Sequence, residues 1–394
     1  MSYTTDKSIL VDERDFFVGS NSYDSTTTPS NENKITASDA AADDDFGRSI
    51  SAGLNRIVVG AYQDDDNGSS SGSAYIFDLD GNEITKITAS DGASSDQFGY
   101  SVAVGSGRII VGAIRDDDNG TDSGSAYIFD LDGNQLAKIT ARDAAAGDLF
   151  GASVAVGSGR IVVSAFGDDD NGSLSGSAYV FDLDGNQLAK ITASDAAAGD
   201  RFGYSVAVGS GRIVVGSFYD DDVETNSGSA YIFDLDGNQL SKITASDPSA
   251  NKFFGQSVAV GSGRIVVGAI GDNSSQGSAY IFDLDGNEIT KITASDGAGF
   301  DQFGFAVAVG SGRIVVGANN DFTGSAYIFD LDGNQLAKIT ASDAFNDDRF
   351  GESVGVGSGR IVVGAYQDDD NGSSSGSAYI YTTPNQKHFL DQLD

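Results

Sequence analysis

The chain has 394 residues, with 58 acidic against 23 basic side chains and a net charge of −35. That balance excludes partners read through phosphate, and anionic membrane surfaces, because both need Lys and Arg. It has no Cys and one His, His388, which removes disulfide frameworks, thiolate zinc sites, cysteine nucleophiles and multi-His metal sites.

Residues 1–31 stand outside the pattern that fills the rest of the chain. They are expected to form an N-terminal arm that docks into a larger assembly, with Asp15-Phe16-Phe17-Val18-Gly19-Ser20 resembling a worn strand. No basic start followed by an apolar stretch opens the sequence, so no secretory leader is expected. Apolar runs are short throughout, and membrane insertion is not expected.

Next comes Lys34-Ile35-Thr36-Ala37-Ser38-Asp39, which matches Lys291-Ile292-Thr293-Ala294-Ser295-Asp296. From Phe46 onward the chain repeats. Phe-Gly recurs from Phe46 to Phe350, and Gly-Ser-Ala-Tyr recurs from Gly72 to Gly376, in seven copies each. A period near 50 residues points to a propeller or a solenoid.

Each copy reads as four short strands. The first is a small apolar run such as Ser101 to Val104. The second, Arg-Ile-Val-Val-Gly-Ala, carries β-branched residues suited to burial on both faces. The third is Gly-Ser-Ala-Tyr-Ile-Phe. The fourth alternates, as in Gln187 to Ala193, with Leu188, Lys190 and Thr192 on one face and Ile191 on the other. Gly-Ser-Gly and Asp-Gly-Asn supply the hairpin turns. The fold expected is all-β: a seven-bladed β-propeller of four-stranded antiparallel blades, spanning residues 32–382. A linear β-solenoid is the alternative.

The last copy ends after its third strand, near Thr382, and residues 383–394 form a polar tail. Residues 34–38 are predicted to complete that blade as its outer strand, closing the ring.

Phe-Gly, a Gly-Ala about a dozen residues later, an Asp-rich loop and Gly-Ser-Ala-Tyr together resemble the FG-GAP repeat. This is the repeat of the integrin α-chain N-terminal propeller. The resemblance covers residues 34–382. It implies a seven-bladed propeller used for adhesion or protein interaction, often with bound calcium. The chain departs from that pattern in one place. The hairpin between strands one and two is Gly-Ser-Gly-Arg and has no carboxylate, so the family's calcium loop cannot be transferred there.

The acids gather elsewhere. Alternating strand direction places the four-to-one and two-to-three connections on one face, and well over half of the acids fall in them. Close carboxylates repel unless neutralised, and calcium accepts six to eight oxygens. The expected calcium ligands are Asp64, Asp65 and Asp66; Asp116, Asp117 and Asp118; Asp168, Asp169 and Asp170; Asp220, Asp221 and Asp222; and Asp368, Asp369 and Asp370. Asp195 and Asp200 are nearby candidates. Blades five and six keep single acids, Asp272 and Asp321, and are expected to bind weakly. The competing reading is that Asp-Asn-Gly clusters are only good turns on a solubilising surface.

The repeated lysines of strand four, such as Lys86 and Lys190, are expected to be solvated. The repeated tyrosines, such as Tyr75 and Tyr179, are expected in the core between blades. No acid, base and nucleophile set stands out; the irregular Glu224, Glu352, Lys252 and Arg142 form none. The function expected is a non-enzymatic adhesion or assembly platform that binds a protein partner or surface receptor. A phage virion or attachment component, outside the cell or on the virion surface, fits this. A leaderless secreted adhesin or a multivalent lectin with glycan partners is the alternative, and a propeller hydrolase or lyase ranks last.

Overall fold

The structure is a computed structural model, and it describes residues 30–383. The arm up to residue 29 and the tail from 384, with His388, lie outside the described residues.

Seven four-stranded antiparallel sheets are present. Blade one shows how the sequence sets them. Its inner strand is Ser49–Gly53, followed by Arg56–Ala61, Ser73–Phe77 and the outer strand Glu83–Ile87. The second and third strands are buried along almost their whole length. The outer strand alternates, and its Ile87 points inward. In blade two the hairpin between the first strands turns through Ser106 and Gly107, at φ 48° and 76°. Two consecutive positive φ values define the type I′ turn that matches strand twist.

Blade seven is assembled from both ends of the described chain. Ser353–Gly357, Arg360–Ala365 and Ser377–Thr382 are joined by Ser30–Ile35 as the fourth strand. Lys34 pairs with Tyr379 and Ile35 with Ala378. The closure expected from the sequence is therefore present, but the strand begins four residues earlier than residue 34 and ends at Ile35. Glu32 also takes part: its carboxylate accepts from Ser342 N at 3.2 Å and from Tyr381 OH at 2.9 Å.

The core lies between blades. Val58, Ile76 and Ile87 of blade one pack with Phe98, Val102, Ile109 and Tyr127 of blade two. The Phe of each Phe-Gly is fully buried, and Phe98 meets Tyr127 edge-on at 5.4 Å. The glycine of the second strand lets the blades approach closely. A Cβ on Gly112 would lie 2.0 Å from the carbonyl oxygen of Gly151 in the next blade. No side chain fits there.

On the face opposite the acidic loops, arginines tie neighbours together. Arg56 Nε donates to Leu131 O at 3.0 Å, and Arg360 Nε to Leu79 O at 2.9 Å, the latter across the closure. Among the described residues Arg313 bonds only Gly312 O of its own hairpin. The blade that follows it has no three-to-four turn to receive it.

Candidate functional site

Blade three shows the acidic site in full. In Asp168-Asp169-Asp170-Asn171-Gly172 the backbone N–H of Asp170 donates to Asp168 Oδ1 at 3.1 Å, and Gly176 N donates to Asp168 O at 2.8 Å. This folds the loop and turns Asp168 Oδ2 inward, where the residue is 3% exposed. Tyr179 OH donates to that oxygen at 3.0 Å. Tyr179 is fully buried, as the core reading requires.

Asp143, from the incoming connection, completes a cluster with Asp168 and Asp170. Equivalent groups are Asp39, Asp64 and Asp66; Asp195, Asp220 and Asp222; and Asp343, Asp368 and Asp370, each with carboxylate oxygens within 4.8 Å of one another. Three oxygens at that spacing form a donor set that could hold a metal ion.

A lysine sits on each of these clusters. Lys190 Nζ lies 2.8 Å from Asp143, 2.7 Å from Asp168 and 2.6 Å from Asp170. Lys34, Lys86 and Lys242 make the same three contacts in their blades. In blade two Lys138 bridges Asp91, Asp116 and Asp118. The Lys190 ammonium also stands 5.4 Å from the Tyr179 ring centroid. The expectation of solvated lysines is thus overturned. Tyr179 and Lys190 are cross-strand partners, so they share one face of the sheet.

The charges respond to this geometry. Burial works to raise the Asp143 carboxyl, but the Lys190 ammonium outweighs it and holds the group below the ordinary carboxylate range. Burial works to lower Lys190, yet its three carboxylates raise it. Burial, then the Asp168 charge, pushes the Tyr179 phenol upward.

Of the residues expected from sequence, the first and third aspartates of each loop enter a cluster. The middle ones do not. Asp65, Asp117 and Asp369 accept backbone N–H groups of Ser70, Asp122 and Ser374 at 2.7 Å, so they cap their own loops. Asp169 and Asp221 also stand outside the clusters. Asp195 joins one, but Asp200 does not; its Oδ2 accepts from Ala197 N at 2.8 Å. The aspartates just after the outer strands, such as Asp39 and Asp143, were the missing third members. Their constant spacing ahead of Phe-Gly was the available signal.

Blades five and six differ. Lys291 meets Asp247 and Asp272, and Lys338 meets Asp296 and Asp321. Lys252 joins blade five as a second ammonium, 1% exposed.

A second feature lies on the axis. A cavity of about 260 Å³ includes Arg48, Tyr100, Phe166, Tyr204, Phe305 and Glu352 in its wall. Here the repeat is broken, because the residue after each Phe-Gly varies. Arg48 and Glu352 form an ion pair, and Asn319 Nδ2 donates to Glu352 at 2.6 Å. Glu352 therefore belongs to a set that sequence spacing did not reveal, since its partners lie in other blades.

The FG-GAP repeat family matches the chain seven times, at residues 29–77, 82–129, 134–181, 186–233, 238–282, 287–329 and 334–381. The chain belongs to the FG-GAP repeat family. Each matched FG-GAP repeat starts with the outer strand of one blade and continues with three strands of the next. This offset makes Ser30–Ile35 part of the first repeat and the fourth strand of the last blade. No curated protein sequence matches the chain. No described helix is long and apolar enough to cross a membrane.

The metal that the family resemblance implies can be tested against these FG-GAP loops. The donor chemistry suits a hard cation. The centre of the donor set does not, because each ammonium already fills it. Calcium places its oxygens at about 2.3–2.6 Å, nearly the distances at which Lys190 Nζ holds the same atoms. Ammonium and metal exclude one another there.

Proposed function

We propose that the chain is a non-enzymatic adhesion or assembly platform whose acidic face binds basic surfaces of a protein partner or surface receptor. The FG-GAP propeller is a binding-type scaffold, and this reading extends that coarser statement. One observation carries it: a closed ring repeats the same acidic loops on one face, around a net charge of −35. Such a field steers a basic partner and gives it several equivalent contacts. The phage virion, or an attachment structure on its surface, is the setting favoured, with a leaderless secreted adhesin as the alternative.

The test has two arms. Antibody-labelled electron microscopy of a producing culture should place the chain on virions or on cell surfaces. Fluorescently labelled protein should bind target cells saturably, with affinity falling steeply from 50 to 300 mM salt. Signal confined to the cell interior, or salt-independent binding, would overturn the proposal.

A second reading, glycan binding, draws support from Tyr100, Tyr204 and Phe166 at the axial cavity, since aromatic faces stack on sugars. Unlike the multivalent lectin expected from the repeats, it predicts one site per ring rather than seven. A glycan array and a titration of stoichiometry separate it from the first reading.

A further inference from the structure

We propose that the lysine of each outer strand is the resident cation of its acidic loop, holding the place a divalent metal would otherwise take. Three features support this. First, the match is geometric. An ammonium has three N–H donors, and Lys190 directs contacts to three carboxylates at 2.6–2.8 Å. Lys34, Lys86, Lys138 and Lys242 repeat the arrangement.

Second, the lysine is built in rather than draped over the surface. It projects from the outer strand beside the buried tyrosine, and its side chain is only 17–30% exposed across the ring. Exposed ion pairs contribute little, but here one carboxylate of each three-aspartate cluster, such as Asp168, is buried. Leaving that carboxylate without a cation would be costly.

Third, blade five varies the theme in the direction this role requires. Its loop lacks the third aspartate. At the position of Asp200 it carries Lys252 instead, with Nζ 2.8 Å from Asp247, 3.0 Å from Asp272 and 3.0 Å from Tyr280 OH. Two ammoniums now face two carboxylates. A loop organised around a metal would keep carboxylates and exclude ammoniums. This one gains an ammonium and loses a carboxylate.

The stability of the ring therefore does not depend on calcium. Thermal melts of the full chain with 5 mM CaCl₂ and with EDTA should agree within about 1 °C, and a CaCl₂ titration calorimetry trace should be flat. In Lys190→Met the Asp143, Asp168 and Asp170 carboxylates are left without their cation. Its melting temperature should fall by roughly 2–5 °C in EDTA, and calcium should restore most of that loss. A calcium-dependent melt of the wild-type chain would overturn the proposal. So would a Lys190→Met variant destabilised in EDTA but indifferent to calcium, because the lysine would then not stand in a metal's place. If Lys190→Met does not fold, Lys190→Gln asks the same question, and the wild-type titration is decisive on its own.

Discussion

Lys34 Nζ lies 2.8 Å from Asp368 Oδ2, although 334 residues separate them along the chain. The contact belongs to the closing blade, where the first described strand completes a sheet begun by the last three. The ring seam thus carries the same lysine and aspartate cluster as the interior blades.

Removing residues 1–38 should open that seam. Ile35 is buried beside Ile57, Val59 and Ile380. Ile35→Ala alone is expected to cost about 2–4 kcal/mol in denaturant unfolding. The truncation should cost more and leave Ser377–Thr382 as an exposed edge prone to association. Size-exclusion chromatography and a melt would check both; an unchanged melting temperature would rule out a structural role for the seam.

Stability should peak in mildly acidic solution. Burial, helped by neighbouring carboxylates, raises Asp44 and Asp200 to about 6. Their folded pKa exceeds the unfolded value near 3.9, so stability falls as pH rises from about 4 to 6. Asp39, Asp143 and Asp195 are held low by their lysines, against burial. Their contribution is complete above the unfolded pKa and is lost as pH falls below it. Urea midpoints across pH 3–8 should therefore show a maximum at about pH 4 and decline towards pH 6. A profile rising steadily to pH 8 would refute this account.

Asp200→Asn isolates one side of that balance. The amide oxygen can still accept from Ala197 N, and the buried charge is gone. We expect about 1–2 kcal/mol of stabilisation at pH 7 and almost none at pH 4. Equal effects at the two pH values would show that the charge is not the cause.

Tyr127→Phe removes a hydroxyl that lies 2.9 Å from an Asp91 carboxylate oxygen and 3.0 Å from one of Asp116, and shares its single proton between them. The ring stays in its packing site against Phe98. A loss of about 1–2 kcal/mol is expected by urea denaturation. A loss above 4 kcal/mol would mean that the packing had changed as well.

Two glycines in adjacent copies should behave oppositely. Gly112→Ala forces a Cβ against the Gly151 carbonyl and should cost about 3 kcal/mol or more. Gly159 sits at φ 73° with nothing near its Cβ direction, so Gly159→Asn should cost less than about 1 kcal/mol. Comparable losses for both would contradict the close-approach explanation.

The fold was legible because seven copies repeat the same turn and strand signals, and because Lys34 to Ser38 matched a fourth strand missing at the other end. The exact end of that strand was not, since ladder pairing stops at Ile35. The aspartate loops were legible as clusters, but their counter-cation was not. Lysine usually lies in water, and only the pairing of Tyr179 with Lys190 puts its stem on the buried side. Likewise Glu352 looked isolated because Arg48 and Asn319 reach it from other blades.

The matched repeats are offset from the blades by one strand. The unit that recurs along the sequence is therefore not the unit of folding. An unequal exchange between two repeats would add or remove one whole sector while leaving the pairing of Lys34 with Tyr379 untouched. The number of sectors and the closing of the circle are thus set by separate parts of the chain.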